Sequence, residues 1–138
     1  MLTRLLLAIF MVTAFQNTVF AYDFERALNN LSDEFVQCAS FFTIANAATE
    51  NTPNDNATQK QETLSKLNAS YEKMIDLALL SSSQEVVMAR YKINVDEMSK
   101  KIKYNYSNIS ILFVEYIELC PEARDKPFQR LKYWLDKK

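Results

Sequence analysis

Three glutamates near the C-terminus are the residues whose types and spacing come closest to a chemical site in this sequence. Glu115 and Glu118 lie three positions apart and share a face if this stretch is helical, and Glu122 follows one turn later. Paired carboxylates can transfer protons or bind a hard cation. The common metal motif of helical bundles also needs a His three residues after a Glu, and the chain contains no His. We therefore interpret the three carboxylates as a solvated acidic surface and predict no metal site.

Two residue types are absent from the chain, and their absence excludes several classes of chemistry. Without His there is no Ser–His or Cys–His nucleophile pair. Without Gly the chain cannot form the usual phosphate-binding loop or the tight turns of β-hairpins, which need left-handed backbone positions. Helices tolerate the absence of Gly, because Asn can take the left-handed position after a helix end. The sequence therefore predicts a helical protein that is not an enzyme and binds no cofactor.

The charge pattern gives no indication of nucleic-acid binding. The formal net charge is −1, from 16 basic and 17 acidic residues, whereas a nucleic-acid-binding surface is strongly basic. Lys100, Lys101 and Lys103 lie beside Tyr104 and Tyr106, a mixture that can bind single-stranded nucleic acid or an anionic lipid surface. Lysines on one side of a helix are also an ordinary solvated face, which is the interpretation we adopt.

The first 21 residues have the pattern of an export signal. Arg4 is followed by the apolar stretch 5–12, and Val19 and Ala21 occupy the −3 and −1 positions of a signal-peptidase site. Cleavage there leaves one mature domain, residues 22–138, which we expect to be periplasmic or secreted. An uncleaved membrane anchor is the alternative, although the apolar stretch is too short for an ordinary transmembrane helix.

The two cysteines of the chain, Cys38 and Cys120, are predicted to form a disulfide. An even number of cysteines in an exported chain is typical of disulfide pairing. The bridge closes a loop of about 82 residues, which contributes about 4.5 kcal/mol in the chain-entropy description. Two buried free thiols are the alternative.

Apolar residues recur at alternating steps of three and four in the first half of the mature chain, which indicates two helices. The first covers residues 24–48, with its polar side chains, Glu34 among them, on the opposite face. After a polar loop, Asp55 or Asn56 can cap a second helix that ends near Leu80. The two apolar faces consist of Phe24, Leu28, Leu31, Phe35, Cys38, Phe42 and Ala45, and of Leu64, Leu67, Tyr71, Met74 and Ala78.

A third helical pattern begins after the serines at 81–83 and continues to Cys120. Ser82 and Glu85 match a capping box, so we expect a new helix here; a helix that continues through the serines is the alternative. A straight helix from 84 to 120 is about 54 Å long and carries Cys120 about 30 Å beyond Cys38, whereas a disulfide needs Cα atoms within about 7 Å. We therefore predict a break at residues 104–108, where Asn and Ser side chains compete for backbone hydrogen bonds.

The end of the chain is predicted to be a short amphipathic helix. Pro121 ends the preceding helix, Asp125 caps the final one and Pro127 lies in its first turn. We expect Phe128, together with Leu131 and Leu135, to face the core. This segment carries Tyr, Trp and basic residues and can lie on a membrane interface, but docking against the bundle is the interpretation we favour.

Four aromatic residues are a candidate ligand pocket: Phe41, Phe42, Phe113 and Tyr116. Aromatic side chains that meet between helices can line a small apolar cavity. They can equally be ordinary core residues, which is the more common arrangement.

These observations predict an all-α bundle of about four main helices and a short C-terminal helix, closed by the disulfide. For function we expect an exported, non-catalytic interaction protein, such as an inhibitor, an adaptor or an envelope factor, whose partner is a protein. The alternative is a helical module that binds a small apolar ligand or a lipid. An apolar cavity larger than about 300 Å³ distinguishes the second hypothesis from a close-packed bundle.

Overall fold

Six α-helices and one 3₁₀ turn account for most of the residues described here. The structure is a computed structural model that describes the backbone of residues 2–53 and 56–137, and the side chains of these ranges from Asp23 onward. The helices are α1 (Leu2–Asn51), α2 (Ala57–Leu79), α3 (Gln84–Lys101), α4 (Ser110–Tyr116), α5 (Leu119–Asp125) and α6 (Pro127–Asp136), with the 3₁₀ turn Tyr106–Asn108 before α4. These ranges contain no β-strand, and the all-α prediction is confirmed. The export signal predicted for residues 1–21 lies outside the described side chains and stays a prediction.

Helix α1 is the centre of the bundle, and the other helices pack around it. The consecutive residues Glu34, Phe35 and Val36 are all buried, although they point in directions about 100° apart. The predicted apolar stripe is therefore too narrow, because α1 is covered on several sides. Glu34 was expected on the polar face and is instead buried, whereas Phe24 is exposed.

The disulfide between Cys38 and Cys120 joins α1 to α5 and confirms the predicted pairing. Its Cα atoms are 5.3 Å apart across a sequence separation of 82 residues. Both cysteines are fully buried and bonded to each other, so the alternative of two buried free thiols is wrong.

The predicted break after α3 is confirmed, but the residues that make the turn are not the expected ones. The N–H of Tyr104 donates to the carbonyl of Ser99 (2.7 Å), and that of Lys103 donates to Lys100 (2.9 Å). These two bonds form a Schellman motif. Lys103 and Tyr104 hold the left-handed positions, with φ of 55° and 53°, where we expected Asn.

Asparagine instead stabilises the turn through its side chain, as the predicted competition with the backbone requires. The Asn105 side chain accepts a bond from the N–H of Ser107 (3.0 Å). Asn108 donates from its amide nitrogen to the carbonyl of Ile102 (3.1 Å). The two bonds hold the reversal that returns the chain towards Cys38.

Pro121 does not end a helix at Cys120 as predicted. It lies in the first turn of α5, and the preceding helix, α4, has already ended at Tyr116. A proline has no N–H for the carbonyl four residues earlier and its ring clashes with that carbonyl, so the helix is interrupted near Ile117. The predicted fourth main helix is therefore two short helices.

The starts of α2 and α3 agree with the sequence to within one residue, whereas α1 begins at Leu2 rather than at residue 24. Asn56 caps α2 by accepting from the N–H of Gln59 (3.1 Å). α3 is a new helix, as expected, but its cap is Ser83 rather than Ser82. Pro127 is the first residue of α6, whereas Asp125 is the last residue of α5 and does not cap α6. Phe128 is 85% exposed and does not face the core.

Candidate ligand-binding groove

An apolar groove of about 510 Å³ lies between the C-terminal part of α1, the first turns of α2, and α4 with the start of α5. We call it the α1–α2–α4 groove. Its volume falls within the range of about 300–1,000 Å³ that is usual for ligand sites. The residues that line it are Phe41, Phe42, Ala45, Ala48, Thr49, Thr52, Gln59, Lys60, Thr63, Leu67, Ile109, Phe113, Ile117 and Pro121.

Aromatic rings form one end of this groove. The ring of Phe41 meets that of Phe42 at 5.6 Å and packs edge-on against that of Phe113, also at 5.6 Å. Tyr116 stacks on Phe41 at 5.4 Å from outside the groove lining. The structure therefore brings the four predicted pocket residues together, three on the wall and Tyr116 behind it. That a ligand binds among them stays a prediction.

The opposite end of the groove is polar and is held by a lysine. The ammonium group of Lys60, on α2, donates to the carbonyls of Glu50 (2.7 Å) and Thr52 (3.1 Å) at the end of α1. The last carbonyls of a helix have no partners within it and carry a partial negative charge, so a cation there is favourable. Lys60 thus ties the start of α2 to the end of α1 and fixes this end of the groove.

The threonines on the groove wall direct their hydroxyl hydrogens into their own helices. Thr49 and Thr52 donate to Ala45 and Ala48 at 2.8 Å, and Thr63 donates to Gln59 at 3.0 Å. Each hydroxyl keeps acceptor capacity but has already used its single donor. The wall therefore accepts an apolar ligand without leaving a hydroxyl donor unpaired.

Tyr116 and Glu115, which are neighbours on α4, differ in their charge. Burial raises the pKa of Tyr116 well above its usual value, so its hydroxyl stays neutral over the physiological range. A hydrogen bond from Lys101 (2.9 Å) lowers the pKa of Glu115, which therefore stays ionised on the exposed side. Neither residue lines the groove, so the charge of Glu115 lies outside the groove wall.

The outward side of α4 continues the apolar surface beyond the groove. Val114 is 88% exposed, and Ile111 and Ile117 are also exposed. Ile117 belongs to the groove lining as well. The groove and this side of α4 therefore form one apolar surface.

The three glutamates singled out in the sequence do not form a site among the described residues. Glu115 pairs with Lys101, while Glu118 and Glu122 are exposed. In the part of the chain that the structure describes, no cluster of three acidic, Cys or His residues is arranged to hold a metal ion. Lys100 pairs with Asp96, so two of the three predicted basic residues have carboxylate partners.

A second polar arrangement, which the sequence did not reveal, fixes α6 against α1. Arg130 donates two hydrogen bonds to the carboxylate of Glu34, at 2.7 and 2.6 Å, and the indole N–H of Trp134 donates a third at 3.0 Å. The hydrogen bond to Glu34 also raises the pKa of Arg130. In the sequence, this contact was indicated by an Arg and a Trp four residues apart on a short amphipathic helix, because residues at this spacing share one face. The docking of α6 on the bundle follows the favoured interpretation.

In comparisons with known proteins, no protein-family model matches this chain, and neither a curated protein nor a solved structure is similar enough to count as a match. Among the described residues, no helix combines the length and the apolar character needed to cross a membrane.

Proposed function

We propose that this protein is an exported, non-catalytic binding protein that holds an apolar ligand in the α1–α2–α4 groove. The observation that carries the proposal is the groove itself, about 510 Å³ in volume and lined mainly by apolar and aromatic side chains. A second surface groove, of about 460 Å³, is lined by charged and amide side chains, whereas ligand sites are lined mostly by apolar and aromatic side chains. The lining of the α1–α2–α4 groove therefore favours the ligand-binding hypothesis over an interaction protein that binds no ligand.

Export is supported by the disulfide and by the pattern of the first 21 residues. Disulfides form and persist in oxidising compartments, such as the periplasm or the extracellular space. The Cys38–Cys120 bridge is buried and joins two helices that both contribute to the groove. An exported setting keeps this bridge oxidised and so maintains the groove walls.

The proposal that the protein is not an enzyme rests on the state of its carboxylates. Glu115 is engaged by Lys101, and Glu34 accepts three hydrogen bonds within the bundle. Neither group lines the groove. The groove side chains themselves are apolar, hydroxyl, amide or ammonium groups, with no nucleophile and base pair among them.

The experiment is a binding titration with a neutral, environment-sensitive naphthylamine dye. Thr63 lies on the groove wall and is exposed on α2, so Thr63→Trp fills the groove with little strain on the core. Ser65→Trp is the matched control, because Ser65 is equally exposed on α2 but does not line the groove. We expect the wild type and Ser65→Trp to bind the dye and Thr63→Trp to bind about tenfold more weakly, since each tenfold is about 1.4 kcal/mol.

Thr52→Trp, with Asn51→Trp as its control, repeats the test from the α1 side, because both residues are exposed but Thr52 lines the groove and Asn51 does not. Thermal unfolding of each variant establishes that it is folded. The proposal is overturned if the wild type does not bind the dye, or if both folded groove-filling variants bind it as the wild type does.

The exposed side of α4 favours a second candidate, a protein partner that lays an amphipathic helix into the same groove. Val114 and Ile111 lie beside the groove and are exposed, and helix-in-groove recognition uses apolar side chains spaced along one helix face. A photo-crosslinking residue at Val114 should then trap one partner in the exporting cell, and Thr63→Trp should abolish the adduct. A crosslinker at the equally exposed Leu80 is the control. An adduct that forms equally at both positions contradicts this candidate.

A further inference from the structure

We infer that the ligand of the α1–α2–α4 groove is a single-chain amphiphile with an anionic head, whose chain lies against the phenylalanines and whose head lies at Lys60. The inference rests on the proposed function and adds the chemical class of the ligand. It is carried by the separation of polar and apolar residues along the groove and by the charge of its lining.

The groove has a polar end and an apolar end. Along α1 its lining runs from Phe41 to Thr52, which corresponds to about 16 Å at 1.5 Å per residue. Lys60 contacts the Thr52 end through its hydrogen bonds. Leu67 of α2 lies level with the middle of this span, since the neighbouring Asn68 bonds to Asn46 of α1.

The wall formed by α4 and α5, with Ile109 just before it, contributes only apolar side chains to the groove. Pro121 is adjacent to Cys120, which is bonded to Cys38 one turn before Phe41 and Phe42. This places Pro121 at the aromatic end. A ligand that matches both ends therefore has an apolar tail and one polar head.

The charge of the groove lining favours a negatively charged head group. Lys60 is the one charged side chain among the described residues that line the groove, and no carboxylate is among them. A half-buried cation acts through a lower effective dielectric than a fully solvated one, so its attraction for an anion is stronger. A cationic head at the same place is repelled.

The ammonium group of Lys60 can donate one further hydrogen bond. Its ammonium group carries three N–H donors, of which two bond to the carbonyls of Glu50 and Thr52. Within the described residues it makes no ion pair with a carboxylate. One donor and the positive charge thus remain for an anionic oxygen of a ligand, either a carboxylate or a phosphate.

The test compares four ligands with twelve-carbon chains, whose extended length is comparable with the groove. They are dodecanoate, dodecyl phosphate, dodecanol and dodecyltrimethylammonium, each titrated below its micelle concentration to displace the neutral dye from the disulfide-bonded protein. We expect an anionic ligand to bind at least about tenfold more tightly than dodecanol, as one charge-assisted hydrogen bond allows, and the cation to bind most weakly. The tighter of the two anions identifies the head group.

Lys60→Met should remove the preference for anions, so that the anionic ligands and dodecanol bind this variant within about twofold of one another, a difference of well under 1 kcal/mol. Lys60→Arg should keep the preference. Lys66→Met is the matched control, because Lys66 lies on the same helix, is paired with Glu62 and does not line the groove.

Equal binding of all four ligands, or an anion preference that survives in folded Lys60→Met, overturns the inference and leaves the proposed function standing. Loss of dye binding in the wild type overturns both.

Discussion

Glu34 and Arg130 lie 96 positions apart in the chain and form a two-pronged ion pair, with Nε–Oε1 and Nη2–Oε2 distances of 2.7 and 2.6 Å. Their side chains are 5% and 14% exposed. The pair is the main polar contact between α6 and α1, and the indole of Trp134 completes it. Because three donors converge on one buried carboxylate, removal of either charged partner alone leaves the other charge buried and unpaired.

Arg130→Met should lower the free energy of unfolding by about 3 kcal/mol, because it leaves the Glu34 charge buried and unpaired. The measurement is urea unfolding followed by circular dichroism. The double variant Glu34→Met/Arg130→Met should recover most of the loss, since both buried charges are then absent. Lys66→Met, which breaks an exposed pair with Glu62, should have no measurable effect. A double variant as unstable as Arg130→Met contradicts this account of the pair.

Replacing both cysteines with alanine should lower the free energy of unfolding by about 4.5 kcal/mol in the chain-entropy description. The bridge spans 82 residues, so it restricts the unfolded chain strongly. Thermal unfolding should show a lower Tm that no longer responds to reductant. Reduction of the wild type should lower its Tm to a similar value. An unchanged Tm in the Cys38→Ala/Cys120→Ala variant would contradict the predicted role.

Lys103→Gly should raise the free energy of unfolding by about 1 kcal/mol. Lys103 has a φ of 55°, and a left-handed conformation costs an L-residue with a side chain about 1–2 kcal/mol. Glycine removes this strain but makes the unfolded chain more flexible, which reduces the gain. Lys103→Ala is the control and should give no gain, because alanine keeps a Cβ. The prediction fails if alanine stabilises the protein as much as glycine.

Glu115→Gln should reduce stability at neutral pH but not in acid. Lys101 lowers the pKa of Glu115 below its ordinary value of 4.5. A carboxyl whose pKa is lowered on folding stabilises the fold above its unfolded pKa, and this contribution disappears as the pH falls through the folded pKa.

Because the Glu115–Lys101 pair is about half exposed, the loss should be less than about 1 kcal/mol at neutral pH. It should vanish near pH 2, as measured by urea unfolding at both values. Glu118→Gln is the control, since Glu118 makes no ion pair within the described residues. A loss that persists in acid would show that Glu115 acts through packing instead.

Much of the helical architecture could be predicted because it depends on local spacing. The three–four repeat of apolar residues identified the major helices, and the length of an unbroken helix from 84 to 120 was incompatible with a Cys38–Cys120 bridge. That conflict located the reversal within a few residues. The aromatic cluster followed from the same spacing, since Phe41, Phe42 and Tyr116 are buried and Phe113 packs against Phe41 from the groove wall.

The remaining features depend on contacts between distant segments or on backbone geometry that composition does not specify. Glu34 resembles any polar residue on a helix until Arg130 is placed beside it. The left-handed positions were assigned to Asn by propensity, but the Schellman geometry falls on Lys103 and Tyr104. The role of Lys60 in the groove could not be predicted from the sequence, because it depends on where the first turn of α2 meets the end of α1.

The central position of α1 has a consequence for how the chain matures. Its buried residues from Ala27 to Ala48 are covered by helices that all follow it in the sequence. The disulfide joins it to Cys120, and the buried ion pair joins it to Arg130. As the polypeptide emerges from the ribosome, α2 and α3 can pack against α1 first, but the bridge and the ion pair form only when nearly the last residue has been synthesised. Closure of the bundle therefore waits for the end of the chain, a delay that is compatible with the proposed export in an unfolded state.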